Sequence, residues 1–140
     1  MKNGREKAMI KGIGHLGIFV KDIEESLNAL SQFIEFENPA IKEAPEMGVK
    51  AAVVDVNGIG LELIQDYSGE GDLAQLVKEK GDIIHHFCLL TDNIEEDLES
   101  LKQRGVEMMD QTPRLGLRGK KIAMSAPSAL NGICIELSEP

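Results

Sequence analysis

The chain predicts an α+β fold: two tandem βαβββ modules forming a curved, cupped mixed sheet around a metal site. Two observations carry this reading. The first is a repeat. His15 and His86 lie 71 residues apart, and the segments after them match at the same offset. Ile23-Glu24-Glu25-Ser26-Leu27-Asn28-Ala29-Leu30 aligns with Ile94-Glu95-Glu96-Asp97-Leu98-Glu99-Ser100-Leu101, and Lys50-Ala51-Ala52-Val53 with Lys121-Ile122-Ala123-Met124. Near the end the offset slips to 74, where Glu62-Leu63 matches Glu136-Leu137. The extra residues fall in a hairpin turn, short at Asn57-Gly58 and longer over residues 127–132. The second observation is that each half supplies one His and one Glu at matched places, which points to a metal site assembled from both.

The elements can be placed in order. Residues 10–20 are β-branched and apolar, with alternation around His15, and read as a strand. Asp22 is placed as an N-cap before Ile23, Leu27, Leu30 and Ile34, whose spacing is that of an amphipathic helix. Residues 41–46 lead into an extended segment, with Pro45 blocking a continuous helix. Residues 49–56 and 59–65 are strands joined by Asn57-Gly58, a strong two-residue hairpin signal. Residues 67–72 read as loop, and 72–80 as a short helix ended by Gly81. The pattern then restarts: a strand over 83–90, a helix capped by Asp92 or Asn93 and running through Lys102 to a stop at Gly105. An extended segment over 106–110 and strands over 121–125 and 132–138 complete it. The modules span about residues 10–66 and 82–138, with 67–81 as connector, and 1–140 reads as a single domain.

Bulk properties narrow the function classes. Twenty-four acidic against 15 basic residues give a net charge of −9, which argues against nucleic acid and anionic membrane as partners. No apolar run approaches the ~20 residues of a membrane span, and no signal-peptide core follows Met1. Met1 to Lys7 is polar and reads as frayed. Cys88 and Cys134 are too few for a disulfide framework, so a reducing cytoplasm is expected. One local basic patch, Arg114, Arg118, Lys120 and Lys121, could still receive an anionic ligand.

Alternate residues of a strand share a face. His15 and Glu62 then belong to the first module's sheet, and His86 and Glu136 to the second's. Two imidazoles and two carboxylates suit Co, Ni, Zn or Mn better than a purely soft or purely hard ion. A single strand histidine is more often a packed core residue; the matched registers are what favour ligation. Cys88 and Cys134, two residues from His86 and Glu136, should face the same way. Their counterparts are Gly17 and Gly60, so they read as small residues in a crowded place rather than as thiolate ligands.

Gly14-His15-Leu16-Gly17-Ile18, Ile59-Gly60-Leu61-Glu62-Leu63-Ile64, Ile84-His85-His86-Phe87-Cys88 and Gly132-Ile133-Cys134-Ile135-Glu136-Leu137 resemble the ligand strands of the vicinal-oxygen-chelate (glyoxalase/bleomycin-resistance/dioxygenase) superfamily. Within it the chain resembles the methylmalonyl-CoA epimerase family most. The His85-His86 pair, the Pro45-Glu46-Met47-Gly48-Val49 loop and the Pro113-Arg114-Leu115-Gly116-Leu117-Arg118-Gly119-Lys120 stretch carry that likeness. The resemblance implies one divalent metal ion on His15, Glu62, His86 and Glu136, with His85 on the opposite face. It implies Glu46 and Glu136 as the two bases that take and return the C2 proton of methylmalonyl-CoA. It also implies an acyl-CoA substrate, whose phosphates Arg114, Arg118, Lys120 and Lys121 would meet.

The chain departs from the family pattern in places. It has Ala29-Leu30 where Phe-Tyr is usual, with Leu30 and Phe33 expected to fill the volume. Ile34-Glu35 replaces Leu-Gly, Ala126-Pro127 replaces His-Pro, and Asn131-Gly132 replaces Gly-Gly. Two other functions share much of this evidence: a glyoxalase I-like lactoylglutathione lyase, and a non-enzymatic small-molecule-binding protein of the same fold. Exposed sheet edges lead to the expectation of a homodimer.

Overall fold

The computed structural model describes residues 10–140, and the reading of residues 1–7 as frayed lies outside them. The described chain divides into two compact units, His15–His85 and His86–Pro140 together with residues 10–14.

In the first unit, β1 (Ile10–Phe19) is followed by α1 (Ile23–Leu30), β2 (Lys42–Ala44), β3 (Val49–Val56), β4 (Ile59–Asp66) and α2 (Asp72–Lys80). The strands run β2-β3-β4-β1, with β1 parallel to β4 and the other neighbours antiparallel. Asn57 and Gly58 both take positive φ, 52° and 96°, the conformation a tight two-residue hairpin requires. Asp22 caps α1 by accepting the Glu25 N–H at 3.0 Å, and the Gln65 side chain accepts the Ile23 N–H from β4. Both bonds use donors that a helix start leaves unsatisfied. Period-two alternation then sorts the sheet. Leu63, Ala52 and Val54 pack under Ile23 and Leu27 of α1, while Ala51, Ile64 and Phe19 on the other face pack on Val77 of α2.

The second unit repeats this plan. β5 (Ile83–Thr91), α3 (Ile94–Gln103), β6 (Arg114–Leu115), β7 (Lys121–Met124) and β8 (Cys134–Ser138) come in order, with a 3₁₀ helix over Pro127–Leu130 between β7 and β8. The strand order is β5-β8-β7-β6, and β5 is parallel to β8. Asn93 takes the place of Asp22, accepting the Glu96 N–H at 3.2 Å while its amide donates to the Glu96 carboxylate. The core is built from the same repeat positions: Ile94, Leu98, Ala123 and Leu137 stand where Ile23, Leu27, Ala52 and Leu63 stand in the first unit. Parallel and antiparallel pairs both occur and helices lie beside the sheets, so the fold class is α+β.

Three expectations need correction. α1 ends at Leu30 rather than reaching Ile34; the Ser31 cap N–H bonds back to Leu27 and Ala29, and a turn comes next. Phe33 does not fill the space left by Ala29-Leu30. It is 84% exposed, and Ile34 and Phe36 pack against the core with Leu30 instead. In the second unit residues 106–110 do not form the outer strand. They make a single bridge, Met108 to Ser125, and Arg114–Leu115 pairs with β7 in their place. Asp110 explains the break: its carboxylate accepts the Met124 N–H at 2.8 Å and the Arg114 Nε–H at 2.9 Å, ending a ladder that Pro113 cannot continue.

Candidate metal centre

Four ionisable side chains are buried on these strands. His15 on β1, Glu62 on β4, His86 on β5 and Glu136 on β8 are each no more than 7% exposed. Hydrogen-bond register explains their placement. His15 pairs with Gly60 and Gly17 with Glu62, so His15 and Glu62 share the face turned away from α1. In the second unit His86 pairs with Cys134 and Cys88 with Glu136, which puts His86 and Glu136 on one face by the same diagonal. The offsets of 71 and 74 seen in the sequence are therefore preserved as strand register.

His15 Nε2 lies 3.6 Å from Glu62 Oε1, too far for a hydrogen bond but close enough for both to reach one ion. In the second unit His86 and Glu136 are likewise buried side chains of a type that could hold a metal ion. The donor set fits a divalent cation. Each unit buries one carboxyl and one imidazole side chain, a costly arrangement unless such polar groups find partners, and both are donor types that Co, Ni, Zn or Mn accept.

The cysteines flank these residues and are fully buried, at 0% and 1% exposure for Cys88 and Cys134. Burial first, then the charge and hydrogen bond of Glu136, push the Cys88 thiol up to about 12, against the opposing pull of Arg118 and the Ser138 hydroxyl. Burial also raises Cys134. Both therefore remain thiols at neutral pH, as small packing residues would. Sequence reasoning missed Ser138. It lies two residues beyond Glu136 on the same strand face, so alternation alone would have found it.

The remaining candidates are more dispersed. Glu46 is exposed, on the turn between β2 and β3. That turn is firmly built: the Met47 and Gly48 N–H groups bond back to Ala44 and Pro45, and the Gly48 carbonyl accepts from Tyr67 and Ser68. Gly48 has φ +67°, and a Cβ there would stand 2.8 Å from the Ser68 Cβ, so the position requires glycine. Of the basic patch, Arg114 pairs with Asp110 and Lys121 with Glu95, each at 2.9 Å. The Lys121 hydrogen bond lowers Glu95 and Glu95 raises Lys121, both at the exposed surface. Lys120 and Arg118 are exposed, and Arg118 acts electrostatically on Cys88. His85 packs edge-on against Phe19, with ring centroids 5.1 Å apart, as a packing residue would.

A model of the glyoxalase/bleomycin resistance protein/dioxygenase superfamily matches residues 14–124. The chain belongs to that superfamily. Among proteins with similar sequences is the uncharacterized protein YqjC of Bacillus subtilis (strain 168), 29% identical over 128 residues, which cover 91% of each chain. The mitochondrial methylmalonyl-CoA epimerase of Dictyostelium discoideum is 25% identical over 134 residues, which cover 95% of this chain and 81% of that one. Among solved structures, the methylmalonyl-CoA epimerase of Streptomyces coelicolor in complex with 2-nitronate-propionyl-CoA superposes with a TM-score of 0.83. It is 22% identical and covers 93% of this chain and 94% of its own, which establishes the shared glyoxalase fold. Among the described residues no helix is long and apolar enough to cross a membrane.

Proposed function

We propose that this protein is a metal-dependent epimerase that interconverts the C2 stereoisomers of methylmalonyl-CoA. The observation that carries the reading is that each unit buries a histidine and a glutamate on one sheet face, His15 with Glu62 and His86 with Glu136, in a chain similar to methylmalonyl-CoA epimerases. In this reading His15, Glu62, His86 and Glu136 hold one divalent ion, and the chain acts as a single domain. When bound, such an ion supplies Lewis acidity toward a thioester carbonyl and its neighbouring carboxylate.

The proton work falls to the chain's own carboxylates. C2 of the substrate lies between a thioester and a carboxylate, so loss of its proton leaves an enolate. In this reading one of Glu46 and Glu136 accepts that proton as a carboxylate, while the other, entering as the acid, delivers one to the opposite face. No net proton is consumed. Glu46 sits on a rigid turn where an incoming substrate would cover it, and Glu136 is already buried, so the pair differs in solvation before substrate binds. Lys120 and Arg118, with Arg114 and Lys121 released from their acidic partners, would meet the CoA phosphates. The protein would act in the cytoplasm as a homodimer.

The test is deuterium uptake at C2 of methylmalonyl-CoA in heavy water, with protein reconstituted with Co or Ni. Exchange should be fast in the native chain and fall by about 10²-fold or more in Glu46→Ala and His86→Ala. Exchange undiminished by both substitutions would overturn the assignment. Metal bound without exchange would redirect attention to the hemithioacetal of glutathione, the substrate of a glyoxalase I-like lyase.

A further inference from the structure

At the ligand strands the two modules differ in the residue that pairs with each glutamate. The residue paired with Glu62 across β1 and β4 is Gly17, which has no side chain; the residue paired with Glu136 across β5 and β8 is Cys88. Directly paired residues in neighbouring strands project to the same face, so the Cys88 side chain stands beside that of Glu136. Cys88 is 0% exposed and Glu136 5%, which leaves little room for either to turn away. The Glu136 carboxylate bears on the Cys88 thiol through its charge and a side-chain hydrogen bond, and the Ser138 hydroxyl also acts on it. Ser138 is itself anchored, donating to the Glu139 carbonyl at 2.8 Å and fully buried. A thiol donates and a carboxylate accepts, so Cys88 is the donor to Glu136.

We infer that Cys88 is a positioning residue: its thiol fixes the Glu136 carboxylate in the orientation it takes on the sheet face it shares with His86. The inference rests on the metal-centre reading, and deepens it by making the two acids inequivalent. The residue paired with Glu136 carries a side-chain donor, whereas the one paired with Glu62 is a glycine. Partners that orient metal-ligating carboxylates commonly change affinity by about 10–100-fold when removed.

Two measurements test it together. The first is titration of metal-free protein with Co²⁺. Cys88→Ala should bind about 10–100-fold more weakly than the native chain, while Cys88→Ser, which keeps a donor, should stay within about threefold. Thermal melts of the metal-free variants separate this from packing, since a packing role alone would lower both melting temperatures and leave both affinities unchanged. The second is the S–H stretching band of the metal-free protein in a Cys134→Ala background. It should shift when Glu136 is changed to Gln. Equal Co²⁺ affinity in the native chain and Cys88→Ala, or an S–H band indifferent to Glu136→Gln, would overturn the inference. Absence of Co²⁺ binding by the native chain would sink the metal-centre reading instead, and the S–H band would still decide the hydrogen bond.

Discussion

Truncating Ile23 and Ile94 gives the sharpest reading of how the repeat supports the site. Each is the first residue of a helix, each is fully buried, and each packs on the sheet face opposite the buried histidine and glutamate of its unit. Ile→Ala removes three carbons; at ~0.8 kcal/mol per buried methylene the transfer loss is about 2.4 kcal/mol. The space left behind adds to this, because Leu27, Val54 and Leu63 in one unit, and Leu98, Ala123 and Leu137 in the other, relax only in part. The expected cost is therefore about 3–4 kcal/mol for either variant. Since the two residues belong to separate clusters, the double variant should show the sum within about 0.5 kcal/mol. Urea unfolding followed by circular dichroism measures this, with the slope of each transition unchanged. A cost below about 1 kcal/mol at one site only would refute the claim that both modules are built on the same core positions.

Other outcomes rest on single contacts. With its thiol held at about 12 against an ordinary 9.0, Cys88 in metal-free protein should be alkylated about 10³-fold more slowly than in the urea-unfolded chain, as peptide mass spectrometry would show. The linkage has a definite sign: above pH 9 the unfolded chain releases the thiol proton and the folded one keeps it. Stability should thus fall by about 1.4 kcal/mol per pH unit between roughly pH 9 and 12, relative to Cys88→Ala under the same conditions. The caps at Asp22 and Asn93 hold matching positions, so Asp22→Ala and Asn93→Ala should each lose about 1 kcal/mol in the same unfolding assay. A loss at one alone would show that the capping bonds are not equivalent.

Much of the fold was legible in the sequence because the repeat tests every element twice. The β3–β4 hairpin, α2 and the cap of α1 were readable from local chemistry at Asn57-Gly58, Gly81 and Asp22, while for α3 the sequence left Asp92 and Asn93 open and the structure selects Asn93. The parts that were not legible depended on long-range partners. The end of α1 is decided by where Ile34 and Phe36 pack, which no spacing rule reveals, and Phe33 is left outside as a result. The outer strand of the second unit was misplaced because Asp110 takes the N–H of Met124, fourteen positions away. In the candidate site, the matched registers of His15, Glu62, His86 and Glu136 were visible in the sequence. The pairing of Cys88 with Glu136 was not, since it comes from strand register rather than from the alternation that put Cys88 on that face. The acidic partners of Arg114 and Lys121 were equally hidden, being residues brought near by the fold.

The most direct test of the account is the number of divalent ions bound by the metal-free protein, measured by titration with Co²⁺ and repeated on His86→Ala. The account predicts one ion per chain in the native protein, with binding weakened by about 10²-fold or more when His86 is lost. Binding that is absent in the native chain, or equally strong in His86→Ala, would contradict it.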